Sequence, residues 1–151
     1  MARLATLLAS VWAAGCQPAP EVPSSWVERS GADGAFVLHL PPEAVEVSLP
    51  PLDSEVGRFT AEGWALSYDF GLYSGLPADV GAAPRDERVG GRTARLAEAA
   101  SESGTDVYVH FPVRPQDGSE PELALHGRCA SEAACEVVRT AIRSVRFRRG
   151  G

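Results

Sequence analysis

Residues 122–147 read ELALHGRCASEAACEVVRTAIRSVRF, and this stretch decides the fold. Its first half alternates, with Leu123 and Leu125 on one side and Ala124 and His126 on the other, which is the period of a half-buried strand. Its second half changes period. Ala134, Val137, Val138, Ala141, Ile142 and Val145 recur every three or four residues and give one apolar helix face. Ser131 is placed to cap that helix, and Glu132 suits its positive first turn. A strand that runs straight into an amphipathic helix, in a chain otherwise rich in alternating segments, predicts an α+β fold.

The remaining strands are read outward from there. Trp64, Leu66, Tyr68 and Phe70 alternate with Ala65, Ser67 and Asp69, so 64–70 is a main rib of the core. Residues 54–60 precede it across the turn Ala61-Glu62-Gly63. Asp33-Gly34 between two apolar runs predicts a hairpin of 26–30 with 35–40. In its second arm Phe36, Leu38 and Leu40 share a face. Residues 43–47 fit a short strand or a connection. Residues 106–111 form another strand, and Asp117-Gly118 turns it back onto 122–127. Residues 91–100 fit either an alanine-rich helix or a strand, and strand is preferred. Residues 71–88, rich in glycine and proline, form the longest loop, a length often tied to function. The expected assembly is an antiparallel β-sheet of about five to seven strands packed by the C-terminal helix.

The N-terminus reads as an address. Arg3 is followed by an 11-residue, mainly apolar run, Leu4 to Ala14, and then by Gly15-Cys16. Charge, apolar run and small residues in that order make a secretory signal. A spanning helix needs ~20 residues, so the run is not an anchor by itself. Ala13-Ala14-Gly15-Cys16 resembles the bacterial lipobox, with alanine at position 13 where leucine is usual. The resemblance implies diacylglycerol attachment at Cys16 and cleavage before it. Gln17 in place of aspartate implies outer-membrane sorting in a diderm. The alternative is an ordinary signal peptide and a soluble secreted protein. The expected layout is a signal peptide over 1–15, a lipidated Cys16 with a proline-rich tether over 16–25, and one domain over 26–151. A proline-rich tether over 17–24 would span about 25 Å at ~3.1 Å per residue.

Composition narrows the function. The chain has 151 residues and a formal charge of −6, or −7 without Arg3. That balance argues against nucleic acid as a partner and against general adhesion to anionic lipid. All 14 basic residues are arginine, lysine and asparagine are missing, and Ile142 is the only isoleucine. These are features of a GC-rich coding bias, which warns against over-reading single arginines.

Three cysteines are present, Cys16, Cys129 and Cys135. An exported chain favours pairs. A Cys129–Cys135 disulfide would tie the strand to the helix, and lipidation would account for Cys16. A redox pair or a metal site is the competing reading, but the spacing is C-x₅-C rather than C-x-x-C. His39, His110 and His126 each point away from the apolar face of their strand. His110 and His126 fall on the two arms of one hairpin, within about one position of being opposite. They could hold zinc or copper with a third ligand from Glu122 or His39, although ordinary surface histidines are the preferred reading. Arg143 to Arg149 is read as charge matching at a helix C-terminus, with binding of an anionic lipid or polymer as the alternative. Hydrolase and phosphate-binding motifs are missing. Asp79, Asp86 and Glu87 read as solvated loop carboxylates.

The phrases FVLHLP, DSEVGRF, WALSYDFGLYSG, RVGGRTARL and CEVVRTAIRSVRF, in that order, resemble small uncharacterised bacterial lipoproteins with the look of a PsbP-like sandwich, over most of residues 26–147. This resemblance implies an accessory or binding module. The expectation is therefore a non-enzymatic envelope lipoprotein without a cofactor, held to the membrane by its lipid, with room for an envelope protein partner. The second reading is a small-ligand or metal binder that uses the His110/His126 face or the 71–88 loop beside Tyr68, Phe70 and Tyr73. The third is an enzyme.

Overall fold

The computed structural model describes residues 21–50, 53–72, 74–77, 80, 83–112 and 121–148. The strands are β1 (Val27–Gly31), β2 (Phe36–Leu40), β3 (Val45–Ser48), β4 (Glu55–Ala61), β5 (Trp64–Gly71), β6 (Arg85–Val89), β7 (Arg92–Ser101), β8 (Gly104–Phe111), β9 (Glu122–Cys129) and β10 (Arg146–Phe147). One helix, α1 (Glu132–Arg143), lies between β9 and β10. β3 to β9 form a seven-stranded antiparallel sheet in the order β3-β4-β5-β9-β8-β7-β6. The fold is α+β, with this sheet packed against the C-terminal helix.

The helix starts where the sequence places it. The Ala134 amide donates to the Ser131 hydroxyl at 3.2 Å, which satisfies one of the unpaired amides of the first turn. Ala134, Cys135, Val138, Ala141 and Ile142 are buried against β9, β5 and β8. Gly127 sets how close the helix comes. A Cβ there would fall 2.3 Å from Val138 Cγ1, so any side chain at 127 pushes the helix off the sheet. Arg139 ties the polar flank down through Glu98 of β7, at 3.1 and 2.9 Å. That fork holds the Glu98 carboxyl below its usual range, chiefly by the hydrogen bonds from Arg139.

Alternation predicts the central strands well. Trp64, Leu66 and Tyr68 are buried, as are Val107, Val109 and Phe111, and Leu123 and Leu125. Residues 92–101 are strand, which resolves the ambiguity of that segment. Three features differ from expectation. The hairpin β1–β2 is not part of the main sheet. With β10 it forms a second, three-stranded sheet, in the order β1-β2-β10. Its face packs beside α1, with the Phe36 ring 5.3 Å from Tyr68 and Phe147 5.1 Å from Phe111. Residues 85–88, read as the end of the 71–88 loop, belong instead to edge strand β6. RDERV lacks alternation because an edge strand buries little, and only Val89 is fully inside. The two-residue β10 carries no period of its own.

Candidate functional site

The face of the large sheet turned away from α1 carries the side chains that alternate with the core. Across β8 and β9 this places Asp106, Tyr108 and His110 beside Glu122, Ala124, His126 and Arg128. His110 lies opposite Ala124 and His126 opposite Tyr108, so the histidines stand two residues out of step, not one. Each is taken up by a carboxylate. His110 Nε2 is 2.8 Å from Glu122 Oε2, and His126 Nε2 is 2.8 Å from Asp106 Oδ1. The His126 ring also stacks on Tyr108, with centroids 4.5 Å apart and planes 4° apart. His39 lies on β2 in the other sheet. The structure therefore joins His110 and His126 each to an acid, leaves His39 apart, and does not converge the three. Among the described residues, no three or more His, Cys, Asp or Glu side chains are grouped to hold a metal.

Asp106 is the centre of this face. It is 5% exposed, and it also accepts from Arg128 Nε at 3.0 Å. Burial alone would raise its carboxyl. The hydrogen bonds from His126 and Arg128 outweigh that and hold it below the usual range. A depressed folded value adds stability that is present above the unfolded value of about 3.9 and is lost as pH falls through the folded one. Asp106→Asn is therefore expected to cost about 1–2 kcal/mol at pH 7, a range kept low because both partners reach solvent. The gap to the native chain should narrow below pH 4. Urea denaturation at the two pH values measures it, and a gap of equal size at both would rule out the ion pair as its source.

A second feature is a notch of about 450 Å³ lined by Asp33, Glu46, Glu55, Tyr68 and Arg148. Asp33 follows β1, Glu46 lies on β3 and Glu55 on β4, so no local motif announces the group. Burial, then the nearby Asp33, pushes the Glu55 carboxyl up. Burial also raises the Tyr68 phenol, opposed by the Ala32 backbone and aided by Glu55, Glu46 and Asp33.

The other candidates are placed as follows. Cys129 and Cys135 are disulfide-bonded, with Cα atoms 5.1 Å apart. Tyr68 and Phe70 approach Phe36, with ring centroids 5.3 and 6.5 Å away. Ser74 anchors the start of that loop by donating to Asp69 at 2.8 Å. Cys16, Tyr73, Asp79, Asp117-Gly118 and Arg149 lie outside the described residues. Among the described residues no helix is long and apolar enough to cross a membrane.

No family model matches the chain, and no curated protein matches it.

Proposed function

We propose that the chain is an envelope lipoprotein, exported by its first 15 residues, acylated at Cys16, and displaying one α+β domain on a short proline-rich tether. One observation carries the reading. Cys129 pairs with Cys135, which leaves Cys16 as the odd cysteine of a chain that makes a disulfide. A structural disulfide fits an oxidising compartment, and there an unpaired thiol needs a purpose. The lipobox-like AAGC, ending an apolar run, supplies one. Two acyl chains make such anchoring stable.

The domain acts by binding rather than by catalysis. The acids and histidines on the outer sheet face already serve as one another's partners, an arrangement that stiffens a surface. A PsbP-like look fits the same accessory role. Growth with an alkynyl fatty acid tests the anchor. The native chain is expected to take up label, and Cys16→Ala is expected to take up none. Equal label on both, or none on either, refutes acylation at Cys16.

A further inference from the structure

The arginines of this acidic chain are unevenly spread. The β6–β7 turn, Gly90-Gly91, rests on the segment that follows α1. A Cβ on Gly90 would fall 2.4 Å from the Val145 carbonyl oxygen, and the residue's φ is +57°, so glycine is required for the contact. The approach brings two distant stretches to one pole. Arg92 lies 3.9 Å over the Phe147 ring. Arg88 folds across the turn and donates to the Gly91 carbonyl at 2.7 Å. Arg146 donates to the Val145 carbonyl at 2.9 Å.

Three nearby acids are taken by other cations. Glu87 pairs with Arg143 at 3.0 Å, and Glu28 pairs with Arg148 at 3.2 Å. Glu98 holds Arg139 and Arg85. Asp86 stands opposite Arg95 in the β6–β7 register. Arg88, Arg92 and Arg146 are exposed, and among the described residues none has a carboxylate within ion-pair distance. Their partners are a ring, a hydroxyl and carbonyls, which leave each full positive charge unneutralised. A guanidinium fork matches phosphate oxygens.

We propose that this pole, Arg88, Arg92 and Arg146, docks the domain on an anionic phospholipid surface. The choice of a membrane rests on the tethered-lipoprotein reading. A proline-rich tether after Cys16, spanning up to about 25 Å if extended, would hold the domain where lipid phosphates are concentrated. It joins β1 at Val27, and β1 then runs toward the level of Phe36 and Phe147, about 15 Å for its five residues. A tether of that length would let the basic pole reach the surface. Three arginines near an anionic leaflet contribute on the order of tenfold or more in occupancy, and salt screens the effect.

Hydrogen exchange on lipid discs tests this. The mature chain, residues 16–151, is held by an N-terminal hexahistidine on a nickel-chelating lipid, so attachment does not depend on acylation of Cys16. A failure here then counts against the pole, and a failure of acyl labelling counts against the anchor. Discs are of phosphatidylcholine alone or with one-third phosphatidylglycerol. Peptides over 85–92 and 144–148 are expected to exchange severalfold more slowly on the anionic discs, and high salt should remove the difference. Arg88→Gln/Arg92→Gln/Arg146→Gln should abolish it while β9 peptides stay protected, showing an intact fold. Equal exchange on both discs, or protection that survives in the triple variant, overturns the proposal. So does equal protection by soluble polyphosphate, which would make the pole a general polyanion site.

Discussion

Phe36→Ala is expected to destabilise the domain by about 3–5 kcal/mol, the usual cost of emptying a large aromatic site in a core. The side chain is fully buried. Its ring stands edge-on to Tyr68 at 5.3 Å, and Phe70 lies at 6.5 Å. Tyr68 and Phe70 belong to the large sheet and Phe36 to the small one, so the residue joins the two. Single domains are stable by about 5–15 kcal/mol, so the loss would take from roughly a fifth of the total to all of it. The urea midpoint reads it directly. Phe36→Leu should lose much less because it fills most of the space. A loss under about 1 kcal/mol for the alanine variant would mean that the small sheet does not depend on this contact.

The second large effect concerns the disulfide. Replacing both Cys129 and Cys135 with alanine is expected to cost roughly 2–2.5 kcal/mol, from the loop entropy the bond removes from the unfolded chain. The bond spans a sequence separation of 6, so the loop is small and the gain modest. Both cysteines are buried, which adds a lost-packing share to the measured value. The effect should be located at the junction of β9 and α1. Exchange there should quicken first, because Ser131 and the first helical turn sit inside the closed loop. Equal stability of the reduced and oxidised chain would contradict this.

The legible part of the fold is the part with a strong period. The helix was readable because six apolar residues follow one stripe and Ser131 caps them. The strand read as 64–70 was legible because large apolar side chains alternate with small or polar ones along it. β6 was not, since an edge strand of four charged residues and one valine has no face to bury. The separation of the β1–β2 hairpin was not legible either. A local pattern fixes which side of Phe36 is apolar, but not which sheet it meets. The histidines show the same limit. Alternation puts His110 and His126 on one face, but their register depends on how the 112–121 connection is used. That choice decides whether they meet each other or meet Glu122 and Asp106. Arg143 to Arg149 read as charge matching at a helix end, and of that stretch only Arg146 belongs to the basic pole. Arg88 and Arg92 join it only through the approach of Gly90 to Val145.

The anchor is the claim on which the rest hangs, because it sets where the domain works and what its basic pole can reach. The most direct measurement is the mass of the N-terminal peptide of the chain recovered from its native membrane fraction. The expected peptide starts at Cys16 and is heavier than its amino acids by a diacylglyceryl group. A peptide that starts at Cys16 with a free thiol, starts elsewhere, or retains Met1 through Gly15 would contradict the account.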